Sequence, residues 1–188
     1  MAKHNILKGN NFAGLPGGST EIPIKIMNMI LKDAKENNKP VWILLQDLSK
    51  AYDRVDLTIL KKAMMRVKIP PPCIDFVLDF FTHRQNAVLT KGGLSDYYKV
   101  KIGIDQGEVI SPLLWCIYFN PLLCEIDQLK KGYTFTHKWM TNVSQGSQQQ
   151  IQAQIAALGF MDDANWISES LENLEDILEV ADDFYKLT

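Results

Sequence analysis

A short hairpin with two carboxylates at its tip is the sequence feature that most constrains how this chain can fold. Two apolar segments of strand length, 155–160 and 164–167, flank the sequence Met-Asp-Asp at 161–163. Apolar runs of this length joined by a short polar link are typical of paired antiparallel strands. A third apolar run at 41–45 is partly β-branched and ends shortly before Asp47. Together these segments predict an antiparallel sheet with acidic residues at the ends of its strands.

Helical patterns alternate with these strands along the rest of the chain. Apolar residues recur at helical spacing in 22–34, 60–67, the segment that ends near 81, the stretch that opens at Pro112, and 171–185. Asp56 is suited to cap the second of these helices. Two further strand-like segments flank Gly92 and Gly93, which predicts a second hairpin. Residues 132–154 are polar and predict a flexible insertion. Strands mixed with helices and local hairpins predict an α+β fold rather than a doubly wound parallel sheet.

Composition and cysteine content exclude several classes of protein. The 188 residues are 46% hydrophobic and 22% charged, which is typical of a globular domain and not of a disordered one. Three cysteines are too few and too scattered for a disulfide framework or a cysteine-rich zinc module. The longest apolar run is broken by polar residues and prolines, and the N-terminus lacks the apolar core of a signal peptide. We therefore expect an intracellular protein, nuclear or cytoplasmic, with no membrane contact.

The charge is unevenly distributed between the two parts of the chain. Residues 1–104 carry 16 basic and 9 acidic side chains, whereas residues 105–188 carry 4 and 13, giving the net charge of −2. A basic part suits a polyanion, and an acidic part suits divalent cations or simply the solvated surface of a helix. The six acids between 172 and 183 lie opposite the apolar stripe of a helix, so we expect them to be its solvated face.

The acids at the strand ends predict a site for a hard metal ion. Asp47 and the pair at 162–163 each follow an apolar strand, so an antiparallel arrangement brings them to one edge of the sheet. Clustered carboxylates repel one another unless a cation neutralises them, and Mg²⁺ prefers oxygen ligands of this kind. The three histidines are scattered and predict no site for a softer metal. A strand-capping or turn role remains an alternative for each acid taken alone.

Three segments, in order, resemble the catalytic motifs of one enzyme family. Residues 45–55 read LQDLSKAYDRV, residues 103–114 read GIDQGEVISPLL, and residues 160–163 read FMDD. These resemble the first motif, the second block and the [YF]-x-D-D box of the reverse transcriptases of non-LTR (LINE-type) retrotransposons. Segments 15–20 and 81–85 also resemble landmarks of that family.

The resemblance implies a polymerase palm-type antiparallel sheet packed on helices, with part of the fingers and no thumb. Residues 1–40 correspond to a partial fingers segment with its connecting helix, and residues 41–188 to the palm with inserted helices and a hairpin. The chain is then a fragment holding a single incomplete reverse transcriptase domain of a transposable element.

The same resemblance assigns roles to individual residues. It implies that Asp47, Asp162 and Asp163 are catalytic and, together with the Leu48 carbonyl, bind two Mg²⁺ ions, for which Mn²⁺ can substitute. It also implies that a bulky residue, here Tyr52, excludes ribonucleotides by contact with the sugar. Without the family resemblance, the interpretation of Tyr52 as a half-buried aromatic residue of the core has nearly equal weight.

The resemblance places further residues at the nucleotide and the nucleic acid. Gln106 and Gly107 correspond to the nucleotide pocket. Asp105 replaces the family's usual proline and Glu108 replaces a small or uncharged residue, which adds negative charge there. A basic group around the predicted hairpin suits template or primer phosphates, or is simply an exposed basic surface: Arg84, Lys91, Lys99 and Lys101.

These observations favour one function and leave two others open. The first is an RNA-directed DNA polymerase that uses an RNA template, a DNA primer and dNTPs; no protein partner can be inferred. The second is a truncated, catalytically inactive remnant that at most binds nucleic acid. The third, an unrelated Mg²⁺-dependent phosphohydrolase, does not account for the 103–114 block.

Overall fold

The computed structural model describes residues 6–7, 9–14, 17–142 and 147–187, with backbone alone for 137–142 and 147–151. The chain divides into two compact units. We call the unit built on residues 48–121 the helical unit, and the unit built on residues 8–47 and 122–187 the sheet unit. Leu15 and Pro16 of the family landmark at 15–20 lie outside the described residues.

The described elements are helices mixed with strands that form local hairpins, as the sequence predicts. The helices are α1 (Glu21–Glu36), α2 (Leu57–Arg66), α3 (Pro71–Thr82), α4 (Ser111–Leu129) and α5 (Leu171–Leu187), with a 3₁₀ turn at Tyr52–Arg54. The strands are β1 (Trp42–Gln46), β2 (Gln85–Asn86), β3 (Leu89–Thr90), β4 (Gly93–Leu94), β5 (Tyr98–Lys99), β6 (Tyr133–Asn142), β7 (Ser147–Ile155), β8 (Ala157–Phe160) and β9 (Asp163–Ser168).

A three-stranded antiparallel sheet forms the centre of the sheet unit. Its strand order is β1–β9–β8, so β9 pairs with both of the others. Phe160 pairs with Asp163, which leaves Met161 and Asp162 as a two-residue turn with a positive φ of 57° at Met161. The predicted hairpin and the α+β class with an antiparallel sheet are thereby confirmed.

The core of the sheet unit lies between the sheet and helix α1. Ile30 and Ala34 of α1 pack in one buried cluster with Tyr133, Leu158 and Ile167. Because side chains alternate across a strand, this face of the sheet is fixed by the pairing of β1, β8 and β9. Helix α1 buries Ile30 and Ala34 there, and its charged residues other than Asp33 are exposed.

The helical unit is held by the pairing of α2 with α3. The Asp56 carboxylate accepts hydrogen bonds from the Thr58 and Ile59 amides, at 2.7 and 2.9 Å, and so caps α2 as predicted. The buried side chains on these two helices are Leu60, Ala63, Met64, Ile74, Val77 and Phe81.

Two segments differ from the sequence-based expectation. The predicted flexible insertion over 132–154 instead contains β6 and β7, which pair antiparallel from Tyr133 with Ile155 onward; residues 143–146 of it lie outside the described residues. Pairing gives the polar strands partners for their backbone groups that composition alone does not reveal. The basic hairpin pairs across both predicted segments, but its turn is Lys91-Gly92 instead of Gly92-Gly93, because Thr90 pairs with Gly93.

The described part of the chain contains no helix that combines the length and apolar character needed to cross a bilayer. All three cysteines are free thiols.

Candidate active site

The sheet unit brings two of the predicted catalytic acids to the same edge. Gln46 of β1 pairs with Ala164 of β9; Asp47 directly follows Gln46, Asp163 directly precedes Ala164, and both acids line one cavity. Both side chains are exposed to solvent, and Asp162 is half-buried in the adjoining turn. Residues far apart in the chain therefore meet because β1 and β9 are neighbours in the sheet.

The face on which these acids lie opens into a cavity of about 530 Å³. Strand alternation puts Leu45, Asp47, Asp163 and Asn165 on this face, and the first half of α1 forms the opposite wall. Asp47 and Asp163 line the cavity together with mainly apolar side chains, whereas Asp162 does not. We call this edge of the sheet, with Asp47, Asp163 and the adjoining Asp162, the acid edge. It is accessible to a ligand through the cavity.

The donor set at this edge fits a magnesium ion that also binds a ligand. Mg²⁺ is usually held by one or two carboxylates together with substrate phosphates and water, and not by a protein cage. The edge supplies carboxylate oxygens of that kind. Among the described residues, no group of three or more carboxylate, histidine or cysteine side chains is close enough to hold a metal ion alone. The oxygen donors suit Mg²⁺ when a phosphate completes its coordination.

On the other face of the sheet, the half-buried side-chain amide of Gln46 fixes the end of β1. The Gln46 side-chain oxygen accepts hydrogen bonds from Trp166 Nε1 at 2.7 Å and from the Tyr185 hydroxyl at 3.1 Å. Burial raises the pKa of the Tyr185 hydroxyl, which keeps it protonated as a donor. The residue immediately before Asp47 is therefore anchored to both β9 and α5. No local sequence pattern predicts this contact, because the three residues lie on three separate elements.

The helical unit brings together the two segments predicted to contact the nucleotide. The Ile104 amide donates to the Tyr52 carbonyl and the Gly103 amide to the Val55 carbonyl, both at 2.9 Å. Gly103 has a φ of 86°, and a Cβ there would lie 2.7 Å from the Asp53 carbonyl oxygen. Only glycine permits this close approach, so the 103–105 segment runs directly against the 3₁₀ turn.

The predicted nucleotide-contacting residues differ in how firmly they are held. Tyr52 is half-buried, and its ring meets Trp115 edge-on with 5.9 Å between the centroids. Gln106 and Gly107 are exposed. The loop that carries them is tied to the start of α4, because Ser111 Oγ donates to the Asp105 carbonyl at 2.6 Å.

The four predicted phosphate-binding residues divide into two kinds. Lys91, Lys99 and Lys101 are exposed on or next to the small strands β2 to β5. The Arg84 side chain is only 8% exposed and forms an ion pair with Asp105. This burial argues against the predicted phosphate contact for Arg84, since a phosphate would have to displace its protein partners.

The chain shows similarity to retrotransposon proteins over most of its length. It is 22% identical over 178 residues to the retrovirus-related Pol polyprotein from type-1 retrotransposable element R2 of Nasonia vitripennis, an alignment that covers 93% of this chain and 16% of that protein. It is 28% identical over 90 residues to the probable RNA-directed DNA polymerase from transposon X-element of Drosophila melanogaster, covering 48% of this chain and 10% of that protein. The chain thus spans only a small part of these relatives.

Solved structures and a family match agree with this similarity. Apo telomerase from Candida tropicalis superposes with a TM-score of 0.59 at 17% identity, over 86% of this chain and 31% of that one; this likeness shows the fold. Residues 2–187 match the family model described as reverse transcriptase (RNA-dependent DNA polymerase). The match takes in nearly the whole sequence, including both strands of the acid edge. The chain belongs to the reverse transcriptase family.

Proposed function

We propose that this chain is the nucleotidyl-transfer core of a retrotransposon RNA-directed DNA polymerase, which joins a dNTP to a primer 3′-hydroxyl. The observation that supports this most directly is that β1 pairs with β9 up to Gln46 and Ala164, next to Asp47 and Asp163, which line one cavity beside the turn that contains Asp162. Primer extension on an RNA template with dNTPs and Mg²⁺ tests the proposal, with Asp162→Asn as the decisive variant.

In this proposal the acid edge holds the catalytic metal ions. Asp47, Asp162, Asp163 and the Leu48 carbonyl would bind two Mg²⁺ ions, or Mn²⁺ in their place. When bound, such ions lower the pKa of the attacking hydroxyl and stabilise the charge that develops on the phosphates. The chain positions the acids. The hydrogen bonds to Gln46 fix the end of β1, and the turn at Met161 and Asp162 fixes the end of the hairpin formed by β8 and β9.

Tyr52, Gln106 and Gly107 would contact the incoming nucleotide in this proposal. The contact between the 103–105 segment and the 3₁₀ turn supports a common role for them. Tyr52 is expected to exclude the ribose 2′-hydroxyl with its ring, whose orientation is set by Trp115.

Replacing Tyr52 with valine is expected to weaken discrimination against ribonucleotides by roughly 30-fold. A clash with an added atom in a filled pocket costs about 2 kcal/mol, and the smaller side chain removes it. The measurement is the ratio of kcat/KM for a dNTP and the matching rNTP in primer extension. Tyr52→Phe keeps the ring and should keep the ratio. An unchanged ratio in Tyr52→Val would contradict the assignment.

Lys91, Lys99 and Lys101 would bind phosphates of the RNA template or the DNA primer. Changing Lys99 and Lys101 together to glutamine is expected to weaken binding of a primer–template duplex and to reduce the slope of log K against log salt by about 1.8, since each lost phosphate contact contributes about 0.9. Fluorescence anisotropy over a salt series measures both quantities. Lys62→Gln, an exposed lysine on α2, serves as control. Equal slopes in the double variant and the control would remove these lysines from the interface.

The alternative to this proposal is a truncated, catalytically inactive remnant that at most binds nucleic acid. The two proposals differ in turnover: the remnant extends no primer at any Mg²⁺ or Mn²⁺ concentration.

A further inference from the structure

We infer that Arg84 and Asp105 form a positioning pair that fixes the backbone leading into Gln106 and Gly107. This inference rests on the nucleotide role proposed above for those two residues. It gives Arg84 a different task from the phosphate contact that its charge suggests, and it gives a use to the acidic residue at 105.

The contacts of Arg84 converge on one short segment. Its Nη2 donates to the carbonyls of Ile102 and Gly103, at 3.0 and 2.8 Å, and the guanidinium forms an ion pair with the Asp105 carboxylate. Its Nε donates to the Phe81 carbonyl at 3.1 Å, at the end of α3. One side chain thus ties the C-terminal end of α3 to three residues of the 102–105 segment.

Because the Arg84 side chain is buried, its contacts restrict the conformation of the 102–105 segment. The Arg84 side chain is 8% exposed, and its guanidinium lies 5.2 Å from the centre of the Phe81 ring. A planar guanidinium donates in several fixed directions, whereas a lysine ammonium is a point charge that cannot reproduce that set of bonds. The 102–105 segment is therefore held by two sets of bonds: those from the Arg84 side chain, and the backbone hydrogen bonds to Tyr52 and Val55.

The pair also sets the charge beside the nucleotide loop. Asp105 is one-third exposed and directly precedes Gln106, so an uncompensated carboxylate here would repel the phosphates of a nucleotide. The ion pair with Arg84 offsets that charge. Positioning therefore predicts that loss of the pair weakens nucleotide binding without changing the chemistry at the acid edge, and the charge effect adds to this only when the positive charge at Arg84 is removed.

The test compares Arg84→Lys and Asp105→Asn with the control Lys62→Gln, an exposed residue on α2 of the same unit. In primer extension by the full chain, each pair variant should raise the dNTP KM about tenfold and leave kcat within twofold. The double variant should be no worse than the worse single variant, because the two residues act as a unit. A purely structural role would instead lower kcat with the fraction of folded enzyme and leave KM unchanged.

Hydrogen exchange provides a second readout that does not need catalysis. Amides of residues 102–107 should exchange about tenfold faster in Arg84→Lys than in the unsubstituted chain, with α2 and β9 unchanged. If the unsubstituted chain extends primers but KM does not respond to either pair variant, the inference is overturned and the polymerase proposal stands. If the unsubstituted chain extends no primer, the polymerase proposal fails, and unchanged exchange at 102–107 overturns the positioning pair as well.

Discussion

Replacing Asp162 with asparagine is expected to lower templated primer extension by about 10³-fold, while the free energy of unfolding changes little. Asparagine keeps the size of the side chain and its tolerance of a tight turn, but it removes the charge that a metal ion requires. A lost metal-stabilised interaction worth about 4 kcal/mol in the transition state corresponds to this factor. Single-nucleotide incorporation on an RNA template with Mg²⁺ measures the rate.

Two further measurements make this result specific to the acid edge. Asp96→Asn changes an exposed acid beside the small strands of the helical unit, and it should leave incorporation unchanged. Thermal unfolding of Asp162→Asn should match that of the unsubstituted chain. Incorporation that survives in Asp162→Asn at the original rate would show that the activity does not arise at this edge.

The second large effect is expected from Trp166→Ala, which should lower the free energy of unfolding by about 3–5 kcal/mol. Trp166 is fully buried on the central strand β9, and its removal leaves a large cavity as well as one lost hydrogen bond to Gln46. Trp166→Phe keeps most of the ring volume and should lose only about 1 kcal/mol, the value of the hydrogen bond. Urea denaturation followed by far-UV circular dichroism measures these changes.

Trp42→Ala is the matched control for this series. Trp42 lies on β1 and is 44% exposed, so its loss should change the free energy of unfolding by no more than about 1 kcal/mol. Equal destabilisation by Trp42→Ala and Trp166→Ala would contradict the placement of Trp166 in the core.

Local patterns were sufficient to predict most of the fold. The hairpin around 161–162 follows from two apolar runs and a short link, and the cap at Asp56 follows from a single residue type at a helix start. Each of these features depends on a few consecutive residues and one general rule.

Contacts between distant residues set the limit of prediction. Charge alone suggested a phosphate-binding Arg84, yet its burial depends on α3 and the 102–105 segment packing around it. The polar sequences of β6 and β7 showed no pattern typical of strands, because each of these two strands is stabilised by pairing with the other. The Gln46 anchor joins three separate elements, so no stretch of sequence contains it.

The split of the sheet unit into 8–47 and 122–187 has a consequence for synthesis on the ribosome. Strand β1 is synthesised well before β9, the strand that pairs with it in the three-stranded sheet of the described residues. Closing so long a loop costs little more entropy than closing one of half its length, so delayed pairing is thermodynamically tolerable. A nascent polypeptide halted before residue 163 therefore holds Asp47 without its counterpart, and we expect such aborted products to leave nucleic acids unmodified.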